Sequence, residues 1–414
     1  MAGTAQGAAL MALPEGASGG VLALNAGSSS LKFALFDAND TALWRGRVTG
    51  LGHQPQLTVD TGGESRSTPL AVGDRSGQSA RTAFDRDFEA ALNAIGGLMA
   101  EHGAPLLAVG HRVVHGGGEY SAPLCVDNRA LQYLERCVAL APLHEPYGLA
   151  LIRAMHERYP AVPQIASFDT AFHTTQPRLE TLFALPRELT DAGIRRYGFH
   201  GLSYEYVAAQ LEHAADPRLH GRVVVAHLGQ GASLCAMRGL RSVATTMGFS
   251  ALDGLPMGRR CGSLDAGVVL HLLQQRGMSA DEVQHLLYER SGLLGVSGVS
   301  DDLRDLLASS DPHAREAVDL FVHRINQWLG ALVATLGGLD ALVFTGGIGE
   351  NSALVRAAVC GLSAWLGVCI DEQANHTGAD WLHTVDSAVA VGVVHTDEES
   401  VVARHARACV AAQD

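Results

Sequence analysis

The sequence predicts an α/β protein of two domains, and three observations lead there. Size and composition come first: 414 residues, 47% hydrophobic, 18% charged, with 47 glycines, are too many for one average domain and describe a globular chain with many tight turns. Second, a unit of strand, small-residue turn and strand occurs once in each half, which suggests two related domains, each turning backbone N–H groups toward a shared cleft. Third, a long amphipathic helix, a buried strand and a glycine turn follow one another late in the chain, the order expected of α/β units.

Residues 1–19 read as a disordered tail, because Met1 to Gly20 carries no Lys or Arg and its short apolar stretch is interrupted by Pro14, a poor fit to a signal peptide. Val21 to Asn25 and Leu31 to Asp37 then form a hairpin with a Gly/Ser tip. Beside that tip stands Lys32, the one lysine among 30 Lys+Arg. Where arginine serves everywhere else, a retained ammonium suggests a site that wants a compact point charge, such as a phosphate pocket; an ordinary surface lysine is the alternative. Gly52 to Ala80 is polar and turn-rich, hence short strands and loops. Phe84, Phe88, Leu92, Ile95 and Met99 share one face of a helix over Phe84 to Glu101.

The second unit is Val223 to Leu228, the turn Gly229-Gln230-Gly231-Ala232-Ser233, and Leu234 to Met237. Further on, Val318, Phe321, Val322, Ile325, Leu329, Leu332, Val333 and Leu336 stripe a helix over Ala314 to Leu336 that Gly337-Gly338 ends. Ala341 to Phe344 is a buried strand, and Thr345 to Asn351 a glycine turn with Asn351 or Ser352 placed to cap the next helix. Strand, glycine turn and helix N-terminus make an anion or nucleotide site, although the spacing is neither G-x-G-x-x-G nor Walker A. The chain crosses between domains near Phe168-Asp169-Thr170 and near Thr396, which gives domains at 20–169 with 397–414 and at 170–396.

A net charge of −13 argues against nucleic acid as a partner. Anionic substrates remain compatible with it, because a few converging cations focus a local positive field. No apolar run reaches bilayer length. Seven cysteines without a C-x-x-C pair suggest neither a disulfide framework nor a zinc site, and a reducing cytoplasm is the simplest home.

Several residues can carry chemistry. Arg112, between two histidines and followed by Gly116-Gly117-Gly118, can grip a carboxylate or phosphate through two parallel hydrogen bonds or form a structural salt bridge. Asp169 among apolar neighbours is a metal ligand, a base or a helix cap. His200 reads as a core histidine by default. Arg260 lies in a glycine-broken loop, Asp302 and Arg304 in a charged helix start, and Glu398 in an acidic run. Together, the glycine turns, one lysine, isolated arginines and few carboxylates suggest a nucleotide-dependent phosphotransferase.

The run Val21 to Phe33 closely resembles the first signature of the acetate kinase family, and similar stretches continue to about residue 408, among them Gly110 to Gly117, Phe168 to His173, Tyr197 to Gly201, His227 to Gly231, Met257 to Asp265 and Phe344 to Asn351. The resemblance implies duplicated ribonuclease-H-like, actin-like ATPase domains with an interdomain cleft, usually as a homodimer. It also implies reversible transfer of the ATP γ-phosphoryl group to acetate by direct in-line attack, giving acetyl phosphate and ADP, with Mg2+ or Mn2+. By the same resemblance Asn25, Asp169 and Glu398 match metal-site residues. Lys32, His227, Leu228, Gly229, Gln230, Gly231, Asp302, Leu303, Arg304, Gly347, Ile348, Gly349, Glu350 and Asn351 match nucleotide-binding elements. Arg112, His200 and Arg260, with Asp169, match the catalytic groups, and Val114, Leu143 and Phe199, with Arg112, the acceptor pocket. Three positions depart from the family: Gln230 and Glu145 stand where asparagine is usual, and Ala251 where proline is. Ala251 keeps propionate or another short-chain acid as an alternative acceptor. A non-catalytic nucleotide-binding protein is a remote alternative, since it would have no need of Arg112, His200 and Arg260.

Overall fold

The computed structural model of the chain describes residues 19–27, 29–70, 80–103, 105–142 and 144–413. The expected tail at residues 1–19 therefore lies outside the described residues except for Gly19, and so does Leu143. The chain divides into two compact units, one running to Ala171 and resuming at Asp397, the other Phe172–Thr396.

In the first unit, β1 (Gly20–Ala26), β2 (Ser30–Phe36), β3 (Ala42–Thr49), β4 (Gln56–Thr61), β5 (Glu64–Pro69), β6 (Leu106–Val113), β7 (Leu124–Cys125) and β8 (Gln164–Phe168) form one sheet in the order β5-β4-β3-β2-β1-β6-β8-β7. β1 is antiparallel to β2 and parallel to β6, and β6 is parallel to β8. Every residue of β1 is buried, as suits a central strand covered on both faces. One face packs Leu22, Leu24, Phe33 and Leu35 against Phe88, Leu92, Ile95 and Met99 of the helix Ala80–His102. The helix Glu398–Ala411 lies along β1, β6 and β8 and buries Val401, Val402, Ala403 and Ala406. Gly110 of β6 makes room for it, since a Cβ there would meet Val402 Cγ1 at 2.6 Å. The edge strand β5 is fully exposed and polar, which keeps its unpaired edge from attracting another strand.

The second unit has β9 (Arg222–Leu228), β10 (Ala232–Arg238), β11 (Arg241–Thr245), β12 (Ala341–Thr345) and β13 (Ala390–Val393) in the order β11-β10-β9-β12-β13. β9 and β10 are the expected hairpin, and β12 runs parallel to β9. Helix Gly201–Glu212 packs Tyr204, Val207 and Leu211 onto Val223, Val225, Cys235 and Val343. The long helix spans Pro312–Leu336, is capped by Asp311 and ends at Gly337 with φ 73°. Val318, expected on its buried stripe, is half-buried.

One expectation needs correction. The segment after β12 is not an open glycine turn but a short helix, Gly346–Asn351, and Ser352 rather than Asn351 caps the next helix, Ala353–Leu362. Gly346 makes this possible: at φ 78° it passes so close to Leu228 that a Cβ would sit 2.8 Å from its carbonyl, and only glycine takes that conformation without strain. The buried Arg356 then holds the helical turn by donating to Gly349 O at 2.9 Å and Glu350 O at 2.8 Å.

Candidate active site

Parallel strands β1, β6 and β8 carry their chemistry at their C-terminal ends, where ligands of α/β sheets bind. Asn25 stands at the end of β1, Arg112 near the end of β6 and Asp169 just beyond β8. Arg112 Nη2 donates to Asp169 Oδ2 at 2.5 Å, Nε to both carboxylate oxygens at 3.1 Å, and Nη1 to Asn25 Oδ1 at 3.0 Å. Glu398 joins from the first turn of the last helix, its Oε2 accepting from Asn25 Nδ2 at 3.3 Å and lying 3.8 Å from Arg112 Nε. Burial opposes the Arg112 charge, yet Asp169 and Glu398 outweigh it and hold its pKa above the ordinary arginine value. Asp169 is thus a charge partner of Arg112.

Lys32 is exposed on β2 directly across the hairpin from Asn25, so both project on one face of the pair. Its charge reaches Glu399, whose pKa burial raises and Lys32 draws back down. Val114 is buried after β6. Beyond it, His115 N donates to Glu145 Oε2 at 3.1 Å, while Glu145 Oε1 has no hydrogen-bond partner among the described residues. Glu145 is 1% exposed, and burial pushes its pKa up to about 8. His111 and His115 are pushed down to about 4 by burial.

In the second unit the hairpin turn and the helix after β12 lie side by side, a Cβ on Gly229 being 3.7 Å from Gly347 N. His200 and Arg260 converge on the same turn: a Cβ on Gly231 would lie 2.9 Å from His200 Nε2 and 3.9 Å from Arg260 Nη1. His200 sits at φ 60° as the N-cap residue of helix Gly201–Glu212, a left-handed conformation uncommon outside glycine. Its ring stacks on His227 with centroids 4.3 Å apart. Phe199 before it is buried, and its carbonyl oxygen is 2.9 Å from Nε2 of the buried His173. Arg260 Nη1 donates to Ala251 O at 3.0 Å, and its loop is latched where Leu293 N and Leu294 N donate to Met257 O and Gly258 O, both at 2.9 Å.

The remaining expected residues divide by the direction they face. Asn351 is exposed, and its Nδ2 donates to Gly347 O at 2.9 Å. Glu350 turns inward, its Oε1 accepting from Gly346 N at 2.9 Å and Thr396 N at 3.1 Å. Asp302 caps the helix Leu303–Ala308 and pairs with the exposed Arg304 at 2.5 Å, while Leu303 is buried. Sequence reasoning missed Tyr204 and Ser233, which support His200, and Arg356, which supports the helical turn. A tyrosine four residues after a histidine on a helix and an arginine in a helix with apolar neighbours were the available signals.

Two α/β units, each with backbone N–H groups or cationic side chains at the ends of parallel strands, form an α/β protein equipped to bind anions such as phosphate. The sequence model of the Acetokinase family matches residues 20–404. The chain is 52% identical over 395 residues to an acetate kinase of Rhodopseudomonas palustris, covering 93% of this chain and 97% of that one. It is 48% identical over 390 residues to an acetate kinase of Nitrobacter hamburgensis, with 93% and 95% covered. Among solved structures, a propionate kinase from Francisella tularensis superposes with a TM-score of 0.84 at 33% identity, with 94% and 99% covered. Porphyromonas gingivalis acetate kinase gives 0.79 at 33% identity, with 95% and 100% covered. The chain belongs to the acetokinase family and is a kinase.

Proposed function

We propose that this chain transfers the γ-phosphoryl group of ATP to acetate, reversibly, giving acetyl phosphate and ADP. The observation that carries the reading is the acetokinase match across residues 20–404. An acetate-like carboxylate, with a pKa near the about 4.3 of glutamate, is already ionised at neutral pH and needs no base. The barrier is repulsion between two anions, so fixed positive charge and hydrogen-bond donors do most of the work. Arg112, His200 and Arg260 are the groups proposed to steady the transferring phosphoryl group. Asp169 orients the Arg112 fork rather than abstracting a proton.

Mg2+ fits the donor set of the first unit. Asn25, Asp169 and Glu398 offer an amide oxygen and two carboxylates gathered around Arg112, and this ion typically takes one or two carboxylates and leaves its other positions to water and phosphate. When bound it would neutralise phosphate charge. Lys32, the turn His227 to Gly231, Asp302 to Arg304 and Gly347 to Asn351 are the proposed nucleotide contacts, with Glu350 contributing through the turn it braces. Val114, Leu143 and Phe199 are the proposed acceptor pocket. A homodimer in the cytoplasm completes the reading, and the apolar helix Ala266–Gln274, which has no buried residue, is the face a second copy would cover.

The test is formation of acetyl phosphate, trapped as hydroxamate, from ATP, Mg2+ and acetate. Product that requires all three is expected, and its absence from a folded, ATP-binding protein would overturn the reading. Ala251 and the Francisella neighbour favour propionate as the second reading. One methylene is worth about 1–3 kcal/mol of discrimination, so kcat/KM for the two acids decides, with acetate expected to lead.

A further inference from the structure

His200 does not stand alone in the second unit. Its Nδ1 lies 2.8 Å from Ser233 Oγ, and Ser233 Oγ lies 2.5 Å from Tyr204 OH. Ser233 and Tyr204 are both wholly buried. The directions of these two hydrogen bonds follow from counting protons. A phenol and a serine hydroxyl have one each, and the Tyr204 hydroxyl meets no acceptor other than Ser233 Oγ among the described residues. Tyr204 therefore donates to Ser233, and the Ser233 proton is left for His200 Nδ1. An accepting Nδ1 puts the imidazole proton on Nε2. The reverse order would strand the phenol proton in the core, at a cost of the size that keeps nearly all buried donors paired.

Two neighbours act in the same sense. The His227 ring is stacked on His200, and Arg260 Nη1 reaches the same glycine, so a second or third positive charge at His200 would be repelled at short range. His227 has its own serine, with Ser203 Oγ 2.8 Å from its Nδ1.

We infer that Tyr204 and Ser233 are positioning residues that order protons along Tyr204–Ser233–His200 and hold His200 as the neutral tautomer with its proton on Nε2, aimed at the Gly229–Gly231 turn as a donor to a phosphoryl oxygen. The aim at a phosphoryl oxygen rests on the function proposed above; the tautomer does not. His200 thus contributes a fixed hydrogen bond without gaining or losing a proton during transfer.

The test is a two-bond 1H–15N correlation spectrum of the full-length protein labelled with 15N-histidine, His200 being assigned by its loss in His200→Gln. The wild type is expected to show the Nε2–H pattern for His200 at neutral pH, and an Nδ1–H pattern or an imidazolium would overturn the inference. Tyr204→Phe frees Ser233 to accept from Nδ1–H, so the tautomers should mix and kcat should fall about five- to tenfold, as for the loss of one hydrogen bond's ordering, with KM for ATP and acetate within about twofold. Ser233→Thr keeps the hydroxyl and should keep the wild-type tautomer where Ser233→Ala loses it. Unchanged tautomers in Tyr204→Phe and Ser233→Ala would sink the relay even with full activity. Absence of acetyl phosphate formation with the Nε2–H pattern present would overturn the proposed function and leave the relay standing.

Discussion

The corner around Arg112 and the corner around His200 solve the problem of a buried polar site in opposite ways. Around Arg112 full charges compensate one another, the guanidinium being shared between Asp169, Asn25 and Glu398. Around His200 the groups are neutral and directional, a tyrosine, a serine and an imidazole joined in series. Removing one member of the first leaves an uncompensated charge, whereas removing one member of the second leaves only a misdirected proton. The two corners should therefore fail by different amounts and in different observables.

The largest break is Arg112→Ala. Asp169 is 1% exposed, and stranding a buried carboxylate costs about 3–5 kcal/mol, so denaturant unfolding should register a loss of that order together with a fall in kcat of about a hundredfold or more. A full loss of activity at unchanged stability would mean that the corner is not held by charge compensation.

Glu145 sharpens the comparison, because it is an acid buried beside the charged corner without a cation of its own. Its folded pKa of about 8 lies above the ordinary 4.5, so the folded protein keeps a proton that the unfolded chain has lost. Its contribution is present in full below about pH 4.5 and is lost as pH rises through about 8. Glu145→Gln should flatten that part of the stability profile and raise stability near pH 8 by on the order of 4 kcal/mol. Parallel profiles of Tm against pH for the two proteins would show that Glu145 does not titrate there.

Lys32→Arg is the smallest expected effect. Lys32 is exposed and arginine keeps the positive charge that reaches Glu399, so stability should not move, while the change from a point charge to a planar fork should raise KM for ATP severalfold. Normal kcat and KM would mean that the chain kept its one lysine by chance.

What could be read from the sequence was whatever repeats locally. The Val21–Phe33 and Val223–Met237 hairpins and the helix before Gly337 follow from periodicity and turn residues, and the two α/β units are the fold class expected. The helical turn at Gly346–Asn351 was not legible, because it depends on the close pass of Gly346 over Leu228 and on Arg356 donating to two of its carbonyls. Nothing local brings Asn25 to Glu398, 373 positions away; only the family resemblance links them. Ser233 read only as a turn residue and Tyr204 was not singled out, because the spacing from His200 to Tyr204 gives no hint of the serine that joins them from strand β10.

The helix Glu398–Ala411 covers β1, β6 and β8 and delivers Glu398 to Asn25, which sets an order of events on the ribosome. The second unit is one continuous stretch, Phe172–Thr396, and can close while synthesis is still under way. The first unit, although its strands emerge earliest, must wait with one face of its sheet uncovered until the whole second unit and then the helix Glu398–Ala411 have been made. The nascent protein is most exposed to aggregation in the half that was made first.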